Sequence, residues 1–284
     1  MVGFMIDNFT FIVLTYNHEK YVVRNLNSIK AIVCTYGKNI KNNLIVADDC
    51  SKDNTVDIAR EWISDNKEIF YDTQILCNSQ NKGTVKNIIN AVNKTKTKQF
   101  KFIGGDDLFL NQNIYSLYDD ITNKIIITPL VLTGNNIKNQ QICFEKDYIL
   151  LEYCIDKNKI KKLIKIDNFI KAPGVFFDCN YFNDKKFILF LSEFRNIEDY
   201  PMWYYFIINN SARVEFRWEY YVLYTIGTGI STSGSMSSDE VDKMYDILNS
   251  KMHKYNRIIN PYWYLVKMWR IKSRLHYYFT KSKV

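Results

Sequence analysis

The sequence predicts an α/β fold, a doubly wound and mostly parallel sheet with helices on both faces, followed by a C-terminal helical tail. Three observations predict it. Four short apolar runs alternate with stretches of helical period over the first hundred residues. Polar residues gather at the carboxyl end of each run. Residues 251–284 carry basic and aromatic side chains with no acidic residue among them. Strand–helix alternation with short links requires parallel strands, because each helix returns the chain to the edge where the last strand began.

The elements follow in order. TFIVLTY is rich in β-branched and aromatic residues, as a strand buried on both faces would be. A helix is expected from about His18 to Val33, with Tyr21, Val22, Leu26 and Ile29 on one face. LIVADD is a second buried strand. SKDNTVDIAREWI places Ser51 as an N-cap before Val56, Ala59, Trp62 and Ile63 at helical spacing. TQILC and FKFIGG read as the third and fourth strands, with the helix GTVKNIINAVNK between them. From about 111 to 170 the patterning is poorer, and only IIITPLVLTG reads as a further strand. IEDYPMWYYFIIN begins acidic and becomes an apolar, aromatic helix. VLYTIGTGISTSGSMSSDE reads as a loop rich in Gly and Ser. The boundaries that result are one domain over 1–250, with halves of about 1–110 and 111–250, and a basic aromatic helical tail over 251–284.

Composition excludes several classes. Hydrophobic residues make up 47% and charged residues 24% of the 284, a globular balance that argues against disorder. Six cysteines are scattered without a CxxC pair, and none of the three histidines stands near a Cys at ligand spacing, so a zinc site is not expected. The N-terminus lacks the basic segment and cleavage site of a signal peptide, and no run of eighteen apolar residues suggests a spanning helix. The formal charge of +8 resides in the tail, where nine Lys and Arg stand without an acid.

Ligands of a doubly wound sheet bind beyond the carboxyl ends of its strands. Thr15, Tyr16 and Asn17 end the first strand, Asp48 and Asp49 the second, Asn78 to Gly83 follow the third, and Asp106 and Asp107 the fourth. Two adjacent carboxylates repel one another and pay for desolvation, and a hard divalent cation between them and a phosphate would remove that cost. A helix N-terminus, where Asp is favoured by capping and dipole, explains the same pair equally well. Gly104 and Gly105 would let a ligand approach the backbone. Gly83 stands before a helix whose N–H groups could face a ligand. Glu198 and Asp199 precede Pro201 and a helix, which suits either a structural start or a general base. His18 reads as a capping or packing residue.

FIVLTYNHEKYVVRNLNSI, LIVADDCSKDNTVDIA, NKGTVKNIINAV and FKFIGGDDLF, in this order and spacing, resemble the inverting family 2 glycosyltransferases of GT-A fold, which make bacterial surface polysaccharides. APGVFFDCNYF and IEDYPMW resemble the acceptor-side segment of that family and its ED motif. The resemblance spans roughly residues 9–235. It implies a nucleotide-sugar donor, UDP-linked in many members, and a Mn2+ or Mg2+ ion. Thr15, Tyr16 and Asn17 would line the nucleotide pocket, Asp48 and Asp49 would hold the base, and Asp106 would bind the metal. Gly83, Gly105 and Asp107 would lie against the donor, Asp199 would be the general base, and Glu198 would orient it or the acceptor. Two positions depart from the family. Gly104 stands where many members carry Asp, and YTIGTGIST lacks the His that some carry near Gly227.

The expected partners are the donor and a glycan or lipid-linked acceptor. In the tail, Leu265, Met268, Trp269, Leu275 and Tyr278 fall near one face and Lys267, Arg270 and Arg274 toward others. Interfacial helices on anionic membranes have this pattern, and so does a terminal helix docked on the body. No nucleic-acid motif accompanies the charge, so nucleic acid is not an expected partner. The expected location is the cytoplasm, at the inner face of the membrane if the tail binds lipid. A nucleotidyltransferase is the nearest enzymatic alternative, though TYNHEKY lacks the Gly-rich basic loop of that class. A relative that binds nucleotide-sugar or membrane without turnover is the other.

Overall fold

The computed structural model describes residues 6–134, 157–165, 168, 170–227 and 238–249. The tail of 251–284 therefore lies outside the described residues. The chain runs β1 (Asn8–Thr15), α1 (Val22–Tyr36), β2 (Lys41–Asp48), α2 (Thr55–Asn66), β3 (Asp72–Cys77), α3 (Thr84–Val92) and β4 (Phe100–Gly104). Then come β5 (Leu108–Phe109), β6 (Lys124–Ile127), β7 (Leu130–Gly134), α4 (Lys157–Leu163), β8 (Val175–Phe177) and α5 (Lys185–Leu191). Last are α6 (Asp199–Tyr204), which continues as a π-turn over Tyr205–Asn209, then β9 (Arg213–Phe216), β10 (Val222–Ile226) and α7 (Ser238–Asn249).

The first four strands form a wholly parallel sheet in the order β3-β2-β1-β4. The winding runs outward from β1 through β2 to β3 and then jumps back to β4. Right-handed crossovers therefore put α1 and α2 on one face and α3 on the other. Packing agrees, since α1 lies against α2 while α3 covers β1 and β2. The central strand β1 buries both faces, with Phe9, Phe11, Ile12 and Val13 fully inaccessible. Edge-to-face rings extend this core, Phe9 meeting Phe11, Tyr115 and Tyr118 at centroid distances of 5.0–5.4 Å.

Register fixes where a site can form. Thr15 pairs with Asp48, Asp48 with Cys77, and Leu14 with Gly104, so the carboxyl ends of all four strands finish level. The strand order reverses between β1 and β4, and that is where the crevice of an open α/β sheet opens.

Several expectations change. The first helix begins at Val22, because the carbonyl of His18 accepts from both Tyr21 N and Val22 N and closes a turn first. Ser51 does not cap α2, which starts at Thr55; its hydroxyl and N–H both donate to Asp48 instead. IIITPLVLTG is two strands in different sheets, since Pro129 has no N–H to continue a ladder. β6 lies between β8 and β9, and β7 pairs with β10. VLYTI, read as loop, is strand β10, held parallel to β7 and antiparallel to β5; residues 228–237 of that stretch lie outside the described residues. Among the described residues no helix is long and apolar enough to cross a membrane, and Cys34, Cys50, Cys77 and Cys179 are free thiols.

Candidate active site

Four loops meet at the level ends of the strands, and carboxylates tie the first three to one another. Thr15 Oγ1 donates to Asp48 Oδ1 at 2.8 Å, and Asp48 Oδ2 accepts from Ser51 N at 2.8 Å. Asn17, at φ 57°, takes the left-handed conformation that Asn tolerates; its N–H donates to Ser51 Oγ and its Oδ1 accepts from Lys52 N. Asp49 Oδ1 accepts from Asn78 Nδ2 and Lys82 N at 2.9 and 2.8 Å, and Asp49 Oδ2 accepts from Gly83 N at 2.7 Å. Both members of the 48–49 pair are thus buried structural acceptors that fix the loops after β1 and β3.

Two of the N–H groups at the start of α3 are already committed within the protein. Gly83 N is spent on Asp49, and Val85 N donates to the carbonyl of Arg195. Gly83 is needed for another reason. It sits at φ 87°, and a Cβ there would lie 2.4 Å from Arg195 Cγ and 2.6 Å from its carbonyl oxygen. The loop that precedes Glu198 and Asp199 is therefore docked directly on the loop after β3.

At the end of β4 the two glycines serve the protein's own packing. A Cβ on Gly105 would meet His18 Nδ1 at 2.8 Å and Thr15 Cγ2 at 2.9 Å. A Cβ on Gly104 would lie 2.7 Å from Asp106 Oδ1 and 3.3 Å from Asp107 Oδ2. A side chain at 104 would thus require the Asp106 carboxylate to shift.

Asp106 and Asp107 take different environments. Asp107 turns inward, its Oδ1 accepting from Thr225 N of β10 at 2.8 Å, and burial and then the neighbouring Asp106 charge push its carboxyl well above the usual range. Asp106 faces the first loop, with His18 Nε2 3.9 Å from its Oδ1. Its carbonyl accepts from Arg24 Nη2 and Thr225 Oγ1 at 2.7 and 2.6 Å. Asn25 Nδ2 donates to the carbonyls of Gly104 and Asp107. Helix α1 and strand β10 thus hold the turn together, Arg24 Nη2 also donating to Thr225 Oγ1 at 2.8 Å. Burial lowers the His18 pKa against the pull of Asp106, so its ring is neutral at pH 7. His18 Nδ1 is buried without a partner.

Among the described residues no three His, Cys, Asp or Glu side chains gather as a metal cage. A Mg2+ or Mn2+ that bridges to a diphosphate asks for less: one or two carboxylates, with phosphates and water completing the shell. Asp106 beside a neutral imidazole fits that smaller demand.

Glu198 and Asp199 stand at the start of α6. Both keep part of their surface open while the protein crowds the other sides. Burial first, and then the Asp199 charge, raise the Glu198 carboxyl to about 8. Burial also raises Asp199, but Tyr200 N and Asn168 Nδ2 oppose it, each donating at 2.7 Å. Both donors favour the charged form of Asp199. Lys171, whose charge also favours the Asp199 carboxylate, lies over the ring of Tyr224, and Tyr224 precedes the Thr225 that grips Asp106.

The sequence did not single out Arg24, Asn168 or Thr225 and gave His18 a capping or packing role. Arg24 lies inside a helical period and Thr225 inside a Gly/Ser-rich stretch, so neither carried a local signal. Tyr16 is exposed at the rim of the first loop.

No curated protein sequence matches the chain. Among solved structures, S. aureus TarS residues 1–349 in complex with UDP-GlcNAc aligns with a TM-score of 0.60 at 17% identity, over 87% of this chain and 67% of that one. The same protein with UDP aligns at 0.54 and 16%, over 88% and 74%. A longer TarS structure is covered over 45% of its length, again at 0.54 and 16%. At such identities the likeness establishes the α/β glycosyltransferase fold. The glycosyl transferase family 2 profile matches residues 10–183, more than half of the sequence, and the chain belongs to that family.

Proposed function

We propose that the chain is an inverting glycosyltransferase that moves a sugar from a UDP-linked donor to a hydroxyl of a glycan or lipid-linked acceptor in cell-surface polysaccharide synthesis. The observation that carries this reading lies at the carboxyl end of the sheet, where the loop after β1 brings His18 beside Asp106 and Thr225 of β10 holds the Asp106 turn, with Asp199 held at the start of α6 by Asn168 and Tyr200. The likeness to a protein that binds UDP-GlcNAc supports a uridine donor.

In this reading Thr15, Tyr16 and Asn17 line the nucleotide pocket. Asp48 and Asp49 act on the base side by holding the loops in place, and Gly83, Gly105 and Asp107 act as packing elements around the donor. Asp199 accepts the proton of the acceptor hydroxyl, whose oxygen then attacks the anomeric carbon from the face opposite the departing diphosphate. Glu198, protonated at neutral pH, keeps a second negative charge away from that hydroxyl. Asp106, with His18 beside it, would hold Mn2+ or Mg2+, which when bound neutralises charge on the leaving diphosphate. A single displacement inverts the anomeric centre.

The test measures UDP release from UDP-sugars by the full chain and by Asp199→Asn. The reading expects release by the wild type, and at least about a hundredfold loss in the variant with UDP affinity unchanged. UDP binding without turnover in the wild type would mark a donor-binding relative and contradict it.

A further inference from the structure

Asn168 belongs to a segment that showed no pattern in the sequence, yet two hydrogen bonds lash that segment to α6 and a third braces it internally. Its Nδ2 donates to Asp199 Oδ2 at 2.7 Å, and its own Oδ1 accepts from Ile170 N at 3.1 Å. The carbonyl of Ile170 accepts from Trp203 Nε1 at 2.9 Å, one helical turn beyond Asp199. The amide cannot turn over, because a carboxylate only accepts and a backbone N–H only donates. Asp199 Oδ1 takes Tyr200 N. Each carboxylate oxygen thus accepts from a protein donor and retains lone-pair capacity for a hydroxyl.

The charged neighbours are few. Glu198 shares the start of α6, Lys171 approaches from the Asn168 segment, and Glu240 of α7 acts on Glu198 and accepts from the N–H of Arg195 and Asn196. Two adjacent carboxylates cannot both ionise cheaply, so something must decide which one holds the charge. Among the described residues, no side chain donates to Glu198 as Asn168 does to Asp199.

We propose that Asn168 is a positioning residue for Asp199, fixing the orientation of its carboxylate and directing the negative charge of the acidic pair onto it rather than onto Glu198. The inference rests on the reading of Asp199 as the general base.

The experiment follows side-chain carboxyl 13C shifts of the full chain against pH. Asp199 is assigned by the resonance that Asp199→Asn removes. Asn168→Ala should move the Asp199 midpoint upward by about one pH unit or more, the tenfold or greater change expected from losing a charge-assisted hydrogen bond. Asn168→Asp keeps the shape and the acceptor for Ile170 N but places a carboxylate against Asp199. Its midpoint should rise further, and it serves if the alanine variant folds poorly. Asn168→Ser, which restores a donor, should recover part of the shift. An Asp199 midpoint unchanged in both Asn168→Ala and Asn168→Asp would overturn the proposal. UDP release from UDP-GlcNAc at the wild-type rate in Asp199→Asn would instead remove the base assignment and the positioning role with it.

Discussion

Lys101 is a fully buried amine on β4, five residues before Asp106, and its replacement by Met makes a quantitative test of how that strand is held. Its Nζ donates to the carbonyls of Ala172 and Val175 at 3.2 and 2.9 Å and lies over the ring of Phe176. Burial lowers its pKa from 10.5 to about 7, against the pull of Asp107. A folded-state pKa below the unfolded one means that the unfolded chain binds more protons between those values. The associated stability is present in full above pH 10.5 and is lost as pH falls through about 7. At about 1.4 kcal/mol per pH unit, the protonated amine costs the fold about 5 kcal/mol below pH 6, and about 3 kcal/mol of that is recovered between pH 6 and 9.5. Met fills similar volume and cannot titrate. Urea denaturation of the wild type and Lys101→Met at pH 6, 7.5 and 9.5 should therefore show the variant gaining on the wild type as pH falls, the gap changing by about 3 kcal/mol across the range. Stability curves that stay parallel over these pH values would refute the reasoning, and with it the idea that a neutral amine ties β4 to the segment before β8.

Other perturbations test other joints. Gly83→Ala, at a positive φ and against Arg195, should cost about 2–3 kcal/mol by denaturant melting and shift the loop that carries Glu198. Asp49→Ala leaves Asn78 Nδ2, Lys82 N and Gly83 N without their acceptor; a loss of about 3 kcal/mol is expected, together with weaker UDP binding by calorimetry. Glu198 is raised from 4.5 to about 8, so the folded chain binds more protons in that window and stability falls as pH rises through it. Glu198→Gln should flatten that fall, as seen in melting temperature between pH 5 and 8.

The sheet was legible because its residues obey one rule each. Phe9, Phe11, Ile12 and Val13 are apolar and fully buried, as a strand covered on both faces requires. The polar residues at 15–17, 48–49 and 106–107 end such runs, and parallel register brings them level without further information. What those carboxylates do was not legible. Asp48 and Asp49 read as ligand contacts, yet they satisfy N–H and hydroxyl donors of loops up to 34 residues away, and only the folded chain supplies those partners. Gly104 looked like a missing acid, whereas the Asp106 carboxylate already fills the space a side chain would need. Thr225 was read as loop because Gly and Ser follow it; its strand is made by pairing with β7 and β5, distant in sequence. Asn168 had no periodicity around it, and its meaning comes from a hydrogen bond to a residue 31 positions on.

The most direct test of the donor site is calorimetric titration of UDP, GDP, CDP and dTDP, with and without Mn2+, into the full chain and Asp106→Ala. The account predicts that UDP binds, that Mn2+ tightens it, and that the metal effect disappears in Asp106→Ala. A folded wild-type protein that binds none of the four diphosphates under either condition would contradict it.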